Sequence, residues 1–164
     1  MMLGLSLSAF TTLHVVLSLI GIVAGLVVAL GMLGGKRLPV LTAVFLITTV
    51  LTSVTGFLFP FHQLLPSHVF GIISLIVLVP ALAGVYGFKL EGAWRWIYVA
   101  TALIALYLNV FVGVVQAFQK LSFLQPFAPT QSEPPFLVAQ LVVLAIFLVL
   151  GFLAMRRFHP QAAA

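Results

Sequence analysis

The residues best suited to chemistry in this sequence are three histidines in its first half: His14, His62 and His68. Neutral imidazole binds haem iron, zinc or copper without needing a charged partner. Two hypotheses follow, with His14 and His68 as axial ligands of a b-type haem, or all three as a metal site. The structural alternative is that they are interfacial histidines that bond to water, to headgroups or to Gln116.

A second group of polar side chains lies within long apolar stretches and consists of Ser53, Asn109, Gln116 and Gln140. An amide without a hydrogen-bond partner costs several kcal/mol in lipid. We therefore expect Asn109 and Gln116 to face the interior of a helical bundle. Their functional interpretation is recognition of a quinone, a lipid headgroup or a small polar solute. The alternative is interhelical hydrogen bonding, which stabilises by about 0.6–2 kcal/mol per bond.

Most other catalytic machinery is missing from the sequence. It contains no cysteine, and its two acids, Glu91 and Glu133, fall in predicted loops. It also lacks a Walker-type phosphate loop, a Gly-x-Ser-x-Gly elbow and an HExxH motif. We therefore expect no catalytic residue and a chain that is not an enzyme. A metal-dependent enzyme built on the histidines is the alternative, although ligating histidines usually need a carboxylate or carbonyl partner.

Membrane-spanning helices must position these side chains. The chain is 63% hydrophobic and 5% charged, whereas soluble domains carry about 25% charged residues. Several apolar runs exceed the ~20 residues that a spanning helix needs, and they lack the alternating polarity of a β-barrel. We predict one integral membrane domain over residues 1–164, an all-α bundle with five transmembrane helices at about 11–33, 38–59, 67–88, 94–119 and 135–155. Pro80 is expected to kink the third helix.

The basic residues predict how this bundle is oriented. Lys120 alone follows the fourth helix, and the other six bases lie in the first and third loops and in the C-terminal tail: Lys36, Arg37, Lys89, Arg95, Arg156 and Arg157. The positive-inside rule then places the N-terminus outside and the C-terminus in the cytoplasm. Because the bases stand at helix ends and not on one face, the net charge of +5 does not indicate a nucleic-acid partner.

This orientation puts most polar residues into the outer halves of the predicted helices. In the first helix, His14, Ser18, Gly21 and Gly25 share one stripe, and Gly21-x-x-x-Gly25 lets a neighbouring backbone approach closely. We predict an outward-facing polar pocket roofed by residues 61–66 and 120–134. Its candidate ligand-binding residues are His14, Ser53, His68, Asn109, Gln116 and Gln140, and its weaker candidate metal ligands are His14, His62 and His68.

Four segments carry a resemblance to known proteins: TTLHV at 11–15, TSVTGFLFP at 52–60, LYLNVFV at 106–112 and PTQSEPPF at 129–136. Together they resemble a group of small bacterial polytopic inner-membrane proteins. The resemblance implies a bacterial inner-membrane location and no particular activity. A looser similarity, carried by His14, is to short membrane families with a histidine early in the first helix, some of them linked to haem or respiratory-oxidase assembly.

Three functions remain open from the sequence. The first is a membrane protein whose outward pocket binds b-type haem or a quinone in electron transfer. The second is a small structural or assembly subunit of a larger membrane complex. The third is a metal-dependent membrane enzyme that uses the outer histidines.

Overall fold

The structure, a computed structural model, describes residues 3–60, 62–64 and 66–160, and five long helices run through them. They are α1 (Leu7–Leu33), α2 (Pro39–Phe57), α3 (Pro66–Leu82), α4 (Trp94–Lys120) and α5 (Pro134–Arg157). Each is long and apolar enough to cross a membrane, α3 together with the turn that extends it to Gly87. The chain is therefore an all-α, multi-pass membrane protein that is suited to a lipid bilayer, as predicted.

Helix α1 begins four residues earlier than predicted, at Leu7 and not at Thr11. The Ser6 hydroxyl caps it by accepting a hydrogen bond of 3.2 Å from the Ala9 backbone N–H. Inside the first turns, Thr11 donates to the Leu7 carbonyl at 2.8 Å. Hydrogen bonds of Ser6 and Thr11 therefore stabilise this end of the helix, whose first turn lies before the predicted start at Thr11.

Pro80 does not end α3, but regular α-helical structure stops two residues after it, at Leu82. A π-helical turn, Ala83–Gly87, follows directly. Proline removes one backbone donor and clashes with the preceding turn, and a π turn is one way for a helix to absorb such a defect. The helix is thus irregular just after Pro80, and the kink at Pro80 stays a prediction.

Helix α4 is the centre of the bundle, because it packs against α1, α2, α3 and α5. Its buried face includes Tyr98, Ala102 and Leu106, which join the core formed with Phe45 and Leu46 of α2 and Leu78 of α3. Small residues on α4 and α1 allow close approach, and Gly25 of α1 faces Leu106 and Phe45 directly. This packing brings α1, α2 and α4 together along the middle of the bundle.

One end of the bundle, which we call the basic end, gathers residues 34–38, 88–93 and 158–160. The Arg95 side chain donates to the backbone carbonyls of Met155 at 3.1 Å and Phe158 at 2.8 Å. A cation there satisfies carbonyls at the end of α5 that have no partner within the helix. Gly35 lies against the Arg157 carbonyl, so the first loop also joins this end, as the predicted alternation of helices requires.

The opposite, proline-rich end contains residues 58–60, 62–64 and 121–133. The longer loop is compact: it forms a 3-10 turn at Gln125–Phe127, and Ala128 is fully buried. Gln125 donates to the Gln119 carbonyl, and Gln119 donates to Gln131 at 3.3 Å. This loop therefore packs on the end of α4. Part of the predicted second roof loop, at Phe61 and Leu65, lies outside the described residues.

Candidate functional site

His14 is half-buried between α1 and α2, where its Nδ1 lies 2.8 Å from the Thr55 hydroxyl oxygen. The Thr55 hydroxyl has a single hydrogen, which it donates to the Leu51 carbonyl at 2.7 Å. With that hydrogen on the Leu51 carbonyl, Thr55 can only accept from His14, and this arrangement assigns the proton of the neutral imidazole to Nδ1. The other ring nitrogen, Nε2, is then a bare acceptor.

Aromatic rings line the other sides of the His14 imidazole. The Phe59 ring meets it edge-on, with centroids 5.2 Å apart, and Phe59 also contacts the fully buried ring of Phe10, with centroids 5.0 Å apart. Gly56 leaves room for the imidazole, because a Cβ at Gly56 would lie 3.7 Å from its Cε1 atom. The arrangement holds one acceptor nitrogen in a largely apolar setting.

His68 is buried on α3, and its ring lies 5.9 Å from the Phe57 ring at a tilt of 33°. Phe57 and Thr55 point in directions about 200° apart, because successive helical residues are rotated by about 100°. His14 and His68 consequently contact opposite sides of α2. Each imidazole thus has its own contact on α2, and the pairing of these histidines around one haem stays a prediction.

His62 is exposed in the loop that precedes α3. Among the residues that the structure describes, which include all three candidate histidines, no group of three histidines or acids could hold a metal ion. The predicted three-imidazole metal site is therefore not formed. Its ligands belong to separate places: one against Thr55, one against Phe57 and one on the surface.

Asn109 brings α4 into contact with α1 in the middle of the bundle. Its Oδ1 accepts a hydrogen bond of 2.9 Å from the Ser18 hydroxyl, and its Nδ2 lies 3.5 Å from the Ser18 carbonyl. A Cβ at Gly21 would sit 3.1 Å and 3.2 Å from the hydroxyl oxygens of Thr48 and Thr49. Polar atoms from α2 and α4 thus lie against Gly21 of α1, and Asn109 faces the interior as predicted.

Gln140 joins α5 to α4, donating from its amide nitrogen to the Phe111 carbonyl at 3.2 Å. Its Oε1 is buried and has no hydrogen-bond partner. The Ser53 hydroxyl donates to the Thr49 carbonyl at 3.0 Å, within its own helix. Much of the hydrogen-bonding capacity of the predicted ligand residues is therefore used inside the protein, and Gln140 retains one free acceptor.

Gln116 is exposed, so the expectation that it faces the interior is wrong. Helix α4 has 27 residues, several more than the ~20 that cross the hydrocarbon core. Its last turns, which include the exposed Gln119 and Lys120, therefore extend to the level of water. An amide there finds solvent and needs no partner in the bundle.

The residue that the sequence analysis did not assign to the site is Thr55, whose hydroxyl oxygen lies 2.8 Å from His14 Nδ1. The short turn between α1 and α2 could have predicted the contact between Thr55 and His14. Gly34 and Gly35 end α1, and Gly35 has a positive φ of 68°, which favours a tight reversal. In such an antiparallel hairpin, residues at equal distances from the turn face one another, as His14 and Thr55 do.

Comparisons with known protein families, curated proteins and solved structures gave no match for this chain. The site is therefore interpreted from its own geometry.

Proposed function

We propose that this chain is a non-catalytic protein of the bacterial inner membrane that binds a quinol at His14, with its N-terminus outside. The observation that carries the proposal is the hydrogen bond between His14 and Thr55. It leaves the second imidazole nitrogen as an acceptor, which matches the O–H donor of a quinol. An oxidised quinone offers only acceptor oxygens and matches this nitrogen less well.

The surroundings of His14 suit a ligand that arrives through lipid. Its neighbours in sequence, Leu13 and Val15, are 40% and 38% exposed on the outer surface of the bundle, which the bilayer would cover. Phe59 and Phe10 supply aromatic rings against which a quinol ring can pack. A ligand dissolved in the membrane could therefore reach the imidazole without crossing water.

The test is binding of decyl-ubiquinol and decyl-ubiquinone to purified protein in detergent, measured by equilibrium dialysis. We expect the quinol to bind more tightly, and His14→Ala to weaken quinol binding by about tenfold, the cost of one hydrogen bond. Thr55→Val should reduce the preference for quinol, because Nδ1 would lose its acceptor. His62→Ala, which changes an exposed histidine, is the matched control.

Equal quinol affinity in wild type and His14→Ala would refute the proposal. An absorbance spectrum of the same preparation tests the haem hypothesis separately. A Soret band that disappears in His14→Ala would mean that the imidazole nitrogen binds haem iron and not a quinol.

A second candidate function, a subunit of a larger membrane complex, is favoured by the surface of α5. Only 11% of its most apolar stretch is buried, compared with 28–39% in the other four helices. Leu137, Leu141, Leu144 and Leu148 are all exposed and share one helical face at the spacing used between packed helices. Native gels should then show an assembly larger than one chain, and a monodisperse monomer would contradict this function.

A further inference from the structure

A small cavity of about 40 Å³ lies at the basic end, where α1 ends and α2 begins. Its polar lining comes from Lys36, Arg37, Thr42, Tyr86 and Tyr98. The Tyr98 hydroxyl interacts with the Thr42 hydroxyl and with the charge of Arg37. The volume holds about three water molecules, which is close to the room that one tetrahedral oxyanion needs.

The two bases of this cavity have no counter-charge in the part of the chain that the structure describes. No hydrogen bond or ion pair there involves the side chain of Lys36 or Arg37. The nearest acid in sequence, Glu91, is itself exposed in the third loop. The cavity therefore carries an uncompensated positive charge.

The first turn of α2 adds to this positive field. Its N-cap, Leu38, provides no side-chain hydrogen bond, and the turn contains no acidic residue. The backbone N–H groups of Val40 and Leu41 thus lack the capping acceptor that helix N-termini usually have. A helix N-terminus favours anions through these donors and through its dipole, and Leu38 and Pro39 line the cavity.

An apolar groove begins at the same place. Pro39 lines both the cavity and a shallow, open groove on the outer face of α2, which continues past Ala43, Val44 and Ile47 to Thr48. From Pro39 to Thr48 the helix rises by about 14 Å, close to half of the ~30 Å hydrocarbon core. The groove is therefore about as long as one leaflet is thick.

We propose that the cavity and the groove together form a binding site for one anionic phospholipid. The phosphate group lies against Lys36, Arg37 and the first turn of α2, and an acyl chain lies along the groove. The polar cavity alone would also accept inorganic phosphate. The apolar groove that continues from it favours the lipid.

The test uses native mass spectrometry of the delipidated full chain in detergent, with phosphatidylglycerol or phosphatidylcholine added. We expect the anionic lipid to bind more tightly. The double variant Lys36→Gln with Arg37→Gln should lose about tenfold or more of that affinity, because each base near a lipid phosphate contributes about 1 kcal/mol. The matched control is Lys89→Gln with Arg156→Gln, which removes the same charge at the same end but outside the cavity.

Two further measurements distinguish the lipid from free phosphate. Ala43→Leu fills the groove from a half-exposed position, so it should weaken binding of phosphatidylglycerol and leave titration with inorganic phosphate unchanged. If inorganic phosphate binds as tightly as the lipid, or if Ala43→Leu has no effect on lipid binding, the site takes a free anion and the proposal is wrong. Equal losses in the two double variants would also overturn it, because they would indicate general attraction to charge.

Discussion

The amide of Asn109 connects two helices through one hydrogen bond, and we expect its loss to be measurable. Asn109→Leu removes the bond to Ser18 and should destabilise the protein by about 1–2 kcal/mol in thermal unfolding in detergent micelles. Gln116→Leu on the same helix is the matched control, because Gln116 is exposed. We expect that change to stay within about 0.5 kcal/mol. Similar effects of both substitutions would mean that Asn109 is not an interhelical contact.

Glu133 is the residue whose ionisation affects local structure most directly. The Thr130 hydroxyl donates to its carboxylate at 2.7 Å, and the backbone N–H of Ser132 donates at 3.1 Å. These bonds, the Thr130 hydroxyl first, lower the pKa of Glu133 from 4.5. Because the folded-state pKa is lowered, the ionised carboxylate stabilises the loop fully at pH values above the ordinary pKa of a glutamate. This stabilisation is lost as the pH falls through the folded-state pKa.

Hydrogen exchange of the Thr130 and Ser132 amides measures this effect. We expect both amides to be protected near neutral pH and to lose protection in acid below pH 4.5. Glu133→Gln should remove most of the pH dependence, because its amide does not titrate in this range. A variant that retained the same acid transition would show that another group controls the loop.

Among the helices, the packing is closest at Gly25, where an added side chain would have the least room of all the glycines. A Cβ there would lie 2.6 Å from Leu106 Cδ1 and 2.8 Å from Phe45 Cδ1, and both side chains are buried in the core. Gly25→Ala should therefore separate α1 from α2 and α4 and cost about 1–3 kcal/mol. Gly151→Ala on α5 meets no atom within 4 Å and should be neutral or stabilising by up to about 1 kcal/mol. Equal stabilities of the two variants in thermal unfolding would contradict this packing.

The helices could be predicted from the sequence because each apolar run is long enough to cross a bilayer, whereas their contacts depend on helix rotation. Asn109 was placed correctly because a buried amide must find a partner. The sequence predicts a similar depth for His14 and His68 but not the direction in which each side chain faces. Phe57 and Thr55, two residues apart on α2, contact these histidines from opposite sides. The depth of a side chain in the bilayer follows from its position in the sequence. The direction in which it points from the helix axis depends on how the neighbouring helices pack against that helix.

At the scale of the whole molecule, the two ends are built differently. The basic end is held by a cation that bonds to backbone, Arg95 with the carbonyls of Met155 and Phe158. The proline-rich end is held by short-range bonds within one loop, from Thr130 and Ser132 to Glu133. The positive charge of Arg95 thus joins α4 to α5 at the basic end. The unequal number of basic residues at the two ends is the basis of the predicted orientation.

That orientation can be tested cleanly because the chain has no cysteine. Glu91→Cys and Ser132→Cys each introduce one thiol at an exposed loop position, the first at the basic end and the second at the proline-rich end. With the basic end in the cytoplasm, a membrane-impermeant maleimide should label Ser132→Cys in intact cells. Glu91→Cys should react only after the membrane is opened, when both thiols are accessible and serve as each other's control. The reverse pattern would place the N-terminus inside, and His14 would then face the cytoplasmic half of the bilayer.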